Sequence, residues 1–237
     1  MSIEDTIRNE ATLMRTELQE LKRCQLQYFL ASVGGTGLLF GLSDRFNDNP
    51  SIEAMVFLVP LIIIIPCWWT FFDKATTITR LSGYSRCFIE DQLQQPTPSY
   101  YIGYENALAV LRYTEDNMTS DDRMRYNLDP RVTLAETFKL LRFQTRHRYW
   151  IINWYTYFIL SVLCTILPLF MGIHYNPLEN NLSFLVYACF IVVAVSAWYT
   201  LEVIKQLTLG RYGFDNFRRL WGIVYANLNN NGNVSQE

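Results

Sequence analysis

The chain has 237 residues, half of them hydrophobic, and a formal charge of −2. Four apolar runs of membrane-spanning length take up roughly 80 residues, which leaves no room for a large water-soluble domain. With no net positive field to gather phosphate, a nucleic-acid partner is not expected.

Residues 1–25 are predicted to form an N-terminal helix. Ser2 with Asp5 three positions later suits a helix-starting capping box. Ile7, Ala11, Met14, Leu18, Leu21, Gln25 and Tyr28 then follow at alternating steps of four and three. The surrounding positions mix acids and bases, so this narrow seam predicts packing on other helices rather than on lipid headgroups. The acidic opening of Glu4, Asp5 and Glu10 lacks the basic start and small-residue cleavage site of a secretory signal.

The first predicted span, residues 26–42, is rich in glycine. Gln27, Leu30, Gly34, Gly37 and Gly41 share a stripe about 80° wide at 100° per residue. On a lipid-facing helix glycine gives up packing, whereas between helices it lets backbones approach closely. This span is therefore expected to be the innermost. Its face serves either as packing within the chain or, with Gln27 and Thr36 as polar lining, as a pore or subunit contact.

Residues 54–72 form the second predicted span, 19 residues without a charge. Pro60 and Pro66 each remove a backbone hydrogen bond and predict a bend. The helix can continue beyond Asp73, with Ile78, Leu81 and Phe88 on an apolar face, until Pro96 and Pro98 stop it. A short helix with Ala107, Leu108 and Leu111 inside is predicted next, followed by an exposed, acidic loop over residues 114–130.

Thr133 and Glu136 make a second capping box, opening a helix that is predicted to enter the third span, residues 150–173. Arg142, Arg146, His147 and Arg148 precede it as a cationic collar. They serve either as snorkelling anchors that attract anionic lipid or as a ring selecting anions at a pore mouth. The fourth span, residues 182–204, carries only Ser196 and Thr200 as polar interior groups, and Gly210 and Gly213 should then interrupt the helix. Phe214, Phe217, Trp221, Val224 and Leu228 resume a seam like the first, and the Asn-rich residues 227–237 are expected to be disordered.

If the spans alternate in direction, Trp68, Trp69, Trp150, Trp154 and Trp198 all fall at one water interface as an anchoring belt. Of the 20 Lys and Arg residues, all but Arg45 lie on the other side of the two short loops, and the positive-inside rule makes that side cytoplasmic. Both termini are then cytoplasmic, in a plasma or bacterial inner membrane. Cys24, Cys67, Cys87, Cys164 and Cys189 lie in or beside apolar runs and read as small buried hydrophobes rather than a disulfide framework.

No catalytic constellation stands out. His147 and His174 fall on opposite sides of the membrane, the cysteines lack C-x-x-C spacing, and no span carries an ionisable residue at its centre. Neither autonomous catalysis nor a cofactor or metal is expected. The predicted fold is all-α and polytopic, with four transmembrane helices extended into a cytoplasmic helical bundle. Its parts are an N-terminal helix (1–25), a first hairpin (26–72), a cytoplasmic connection (73–149), a second hairpin (150–204), and a tail (205–237). In topology alone the layout resembles flagellar-stator and related proton-channel subunits; no motif of a known family accompanies it. The expected function is a homo-oligomeric ion channel or membrane-perturbing effector, gated through its cytoplasmic helices. The alternative is a non-conducting scaffold that docks a cytosolic protein.

Overall fold

The structure, a computed structural model, describes residues 3–46, 50–90, 103–125, 148–174, 180–208, 210 and 212–234. Helix α1 runs from Ile3 to Leu42 and is followed by a 3₁₀ turn, Ser43–Phe46. Next come α2 (Pro50–Leu58) and α3 (Leu61–Tyr84), the latter prolonged by a π-helical turn over Ser85–Glu90. The remaining helices are α4 (Tyr104–Asp116), α5 (Ser120–Arg125), α6 (Arg148–His174), α7 (Asn180–Thr208) and α8 (Phe214–Val234). Contacts divide the chain into two compact units, one from residues 1–22, 75–134 and 205–237, the other from 23–74 and 135–204.

The first unit is a helical bundle with one apolar core. Ile7 and Met14 of α1, Leu81, Tyr84 and Phe88 from α3 and its π turn, Ala107, Leu108 and Leu111 of α4, and Phe217, Trp221 and Val224 of α8 are buried together. Ala11, Leu18, Leu21 and Leu228 pack against its edge. The two seams read from the sequence thus meet the faces of α3 and α4 in a common interior, where burial of aromatic surface dominates. Trp221 is held there by its indole N–H, which donates to the Arg80 carbonyl at 3.1 Å. Gly83, one turn away, lets α8 come close: a β-carbon there would lie 3.0 Å from Trp221 Cδ1 and 3.2 Å from Phe217 Cβ.

Two local expectations change. Residues 114–125 hold more helix than an exposed loop would, and residues 126–130 lie outside the described residues. Helix α4 reaches Asp116, and α5 starts on Thr119, whose hydroxyl accepts from the Asp122 N–H at 3.2 Å and donates to Asp122 Oδ2 at 2.7 Å. Thr119 thus serves as an N-cap for α5, with the Asp122 carboxylate holding its hydroxyl in place. At the other end of the chain α8 continues to Val234, into the Asn-rich stretch, because extending a docked helix fixes only one residue for each added bond. The break between α7 and α8 falls at the expected glycines. A β-carbon on Gly213 would meet the Gly210 carbonyl at 3.1 Å, and Asn216 Nδ2 donates to that same carbonyl at 2.7 Å.

The second unit contains the apolar helices. Among the described residues three runs are long and apolar enough to cross a membrane: Ile52–Glu90, Tyr149–Phe170 and Leu182–Thr208. Residues 26–42, the first predicted span, are not among these three: they continue α1 but do not reach the same apolar density. Gln27, Ser32, Thr36 and four glycines dilute its leucines. In the first of the three runs the helix stops at Val59 and Pro60 and restarts at Leu61. The gap is closed by short-range bonds, Ile62 N–H to the Val59 carbonyl (3.1 Å) and Ile63 N–H to the Pro60 carbonyl (2.9 Å). Pro66, by contrast, sits inside α3 without ending it. Of the two prolines expected to bend this span, Pro60 is the one that breaks the ladder, repaired by local 3₁₀ geometry.

Candidate functional site

The second unit presents two kinds of polar feature, one turned outward and one inward, and α1 carries both. Gln27, Gly34, Gly37 and Gly41 lie on an exposed face of α1. Among the described residues no atom outside the helix's own turn comes within 4 Å of where a β-carbon on Gly34, Gly37 or Gly41 would stand. The span expected to be innermost therefore has a glycine stripe that no described residue covers. Among the described residues of α1, Gly35, off the stripe, is the glycine with a neighbour, Ile63 at 3.5 Å.

Thr36 stands apart from that face. Two residues past Gly34 it is turned by about 200° at 100° per residue, and it is buried. Its hydroxyl donates to the Ser32 carbonyl at 2.6 Å, and the Ser32 hydroxyl donates to the Tyr28 carbonyl at 2.9 Å. Gln25 completes this inner face by donating from Nε2 to the Phe71 carbonyl of α3 at 2.8 Å. The sequence grouped Gln27 and Thr36 as one lining, and the structure separates them onto opposite faces.

The inward face meets an aromatic core. Trp68 stacks on Tyr157 with ring centroids 6.1 Å apart and 7° between planes. Phe71 and Phe29 approach Tyr157 from other sides at 5.7 and 6.2 Å, and Trp154 meets Trp68 edge-on at 6.1 Å. The Trp154 indole donates to the Thr200 hydroxyl of α7 at 3.0 Å, and Thr200 in turn donates to the Ser196 carbonyl at 2.7 Å. Thr165 and Ser196 bond backward along their own helices, which satisfies a hydroxyl without a partner from outside. Asn153 does the same, donating from Nδ2 to the Tyr149 carbonyl at 2.7 Å.

The five tryptophans do not behave alike. Trp68 and Trp154 are buried in the core just described, Trp150 is half-buried with its ring 6.2 Å from Phe71, and Trp69 and Trp198 face outward. Of the collar, Arg142, Arg146 and His147 lie outside the described residues, and Arg148 is placed only as the first residue of α6.

Sequence reasoning passed over Tyr157, Ser161 and Ser32. Each is a single polar residue in an apolar run, a pattern that identifies no partner by itself. Gln25 did carry a signal, as the one polar residue on an otherwise apolar seam.

This arrangement holds no acid–base pair or nucleophile with a base, and among the described residues no three His, Cys, Asp or Glu side chains gather as metal ligands. What it offers is an outward small-residue surface on α1 and an inward network of hydroxyls, amides and indoles. Comparison with known proteins returns no family model, no curated protein and no solved structure that matches this chain.

Proposed function

We propose that this chain is a four-span membrane protein that assembles with copies of itself through the outward face of α1, forming an ion channel or membrane-permeabilising assembly gated through the helices of the first unit. The observation that carries this reading is the uncovered stripe of Gln27, Gly34, Gly37 and Gly41. In lipid, small residues gain nothing from hydrocarbon but allow a second helix to approach closely, and an outward glutamine wants a hydrogen-bonding neighbour or water. Residues 24–43 carry no charge, and at 1.5 Å per residue they rise about 30 Å, enough to cross the hydrocarbon core despite their modest apolarity. A second copy is the simplest occupant for such a face, because closed homo-oligomers dominate among known assemblies.

The distribution of Lys and Arg places both termini in the cytoplasm in this reading, with the basic residues before α6 drawing anionic lipid. Cysteines placed at Gly34 and Gly37 test the assembly directly in native membranes. Spontaneous cross-linking between copies supports the α1 contact. Its absence at both positions, in membranes where the protein is abundant, overturns it. The second reading is a scaffold that holds a cytosolic protein against the first unit, where Leu13, Tyr113 and Met124 are exposed. It predicts a stoichiometric partner and no current.

A further inference from the structure

Inside the second unit three side-chain polar atoms have no hydrogen-bond partner among the described residues: the Trp68 indole nitrogen, the Tyr157 hydroxyl and the Ser161 hydroxyl. All three residues are fully buried. They belong to one cluster, because the Tyr157 ring stacks on Trp68 and Ser161 follows Tyr157 by one turn on the buried face of α6. Ser32 of α1 lies beside the Tyr157 hydroxyl and donates its own proton to the Tyr28 carbonyl. Elsewhere in this unit buried hydroxyls bond back along their helices, as Thr36, Thr165, Ser196 and Thr200 do. An indole nitrogen and a phenol cannot reach their own backbone in that way.

We propose that this cluster is a hydration site, in which ordered water accepts from the Trp68 N–H and the Tyr157 hydroxyl and exchanges hydrogen bonds with the Ser161 hydroxyl. Buried polar groups are almost always paired, and where the protein supplies no partner, internal water with two to four polar neighbours does. Chemistry selects water over other occupants. The Trp68 nitrogen can only donate, which disfavours a metal cation, and the cluster's side chains are uncharged, so an anion buried there would remain unneutralised. The site sits inside one protomer, on the face of α1 opposite the glycine stripe. It holds whether or not the glycine stripe lines a pore.

Solid-state NMR of the labelled full-length protein in lipid bilayers, with polarisation started on water, tests the proposal. Transfer to the Tyr157 ring and the Trp68 indole nitrogen is expected to build up as fast as to exposed Tyr113 of the first unit. It should also outpace transfer to the outward-facing Tyr187 of α7 several-fold. Build-up at Tyr157 and Trp68 as slow as at Tyr187 overturns the proposal. A double-mutant cycle of Tyr157→Phe and Ser161→Ala gives an independent reading. If both hydroxyls bind shared water, each single change lowers the folded-to-unfolded ratio about 5-fold or more, and the double change costs less than the product. A Tyr157→Phe protein as stable as the parent, or more so, contradicts the proposal, since it would mean the hydroxyl has nothing to lose.

Discussion

The Tyr84 hydroxyl donates to Glu10 Oε1 at 3.2 Å, and the same oxygen accepts from the Tyr104 backbone N–H at 2.9 Å. Tyr104 is the first residue of α4, and the preceding Gly103 supplies no side-chain cap. A carboxylate from α1 thus caps α4 from a distance in sequence and ties it to α3 through Tyr84. A negative charge at a helix N-terminus is favourable, and bonds to it are stronger than neutral ones. Glu10 is only 8% exposed, so removing it strands buried donors. Glu10→Leu is expected to lower stability by about 3 kcal/mol, and Glu10→Gln, which keeps an acceptor oxygen, by less than half of that. Chemical unfolding of the full chain in detergent checks the order. Equal stability of the three proteins would remove Glu10 from this role.

Gly83 makes the second test, because it marks a close approach of α8 to α3. A side chain there must displace Trp221 and the Phe217 β-carbon, 3.0 and 3.2 Å from where its own β-carbon would stand. Gly83→Val is expected to destabilise the first unit by roughly 1–3 kcal/mol through overpacking, despite the better helix propensity of valine over glycine. Gly222, with open space around it, serves as the control: Gly222→Ala should be neutral or stabilising. A Gly83→Val protein that melts with the parent would mean that α8 is not seated as described.

Much of the first unit was legible in the sequence because its seams are periodic. Ile7 and Met14 at one end and Phe217, Trp221 and Val224 at the other are buried where the three-four spacing puts them. Glu10 was not legible, since a polar residue beside a seam looks like any solvated position until the N-terminus of another helix is brought to it. Gly83 lies inside a helical run, where a lone glycine signals close packing without naming the neighbour. For α1, stripe geometry was readable but occupancy was not. A wheel shows that Gly34, Gly37 and Gly41 share a face, while only the structure shows that no described residue covers it. Thr36 was grouped with Gln27 on polarity, although its angular position already placed it opposite.

Alkaline pH probes the contact of α4 with α3. Burial pushes the Tyr104 phenol above its ordinary 10.0, with Arg80 pulling the other way and Glu17 and Glu105 adding to the rise. The folded state therefore holds this proton more tightly than the unfolded chain does. Its contribution to stability is complete below about pH 10 and is lost as pH climbs through the raised folded value. Unfolding midpoints measured from pH 9 to pH 12 should fall less steeply in Tyr104→Phe than in the parent. Parallel curves would show that Tyr104 titrates alike in both states.

Three introduced cysteines decide whether α1 crosses the membrane. Arg15, Arg45 and Asp121 are all exposed in the described residues. With α1 as a fourth span, a membrane-impermeant reagent should label Arg45→Cys from outside intact cells, and Arg15→Cys and Asp121→Cys only after lysis. Labelling of positions 15 and 45 from the same side would leave three spans and remove α1 from the bilayer.

Ion flux through the purified full-length protein in planar bilayers, with Gly37→Leu beside the parent, is the most direct test of an assembly built on the outward face of α1. Among the described residues nothing outside the local helix lies within 4 Å of the position a β-carbon at Gly37 would take, so the substitution should leave each copy folded with an unchanged melting temperature. The account predicts current from the parent, and from Gly37→Leu either a loss of current or a smaller oligomer, because leucine keeps neighbouring copies apart or dries the path between them. A parent protein that carries no current, or a Gly37→Leu protein with the parent's oligomeric size and full current, would contradict it.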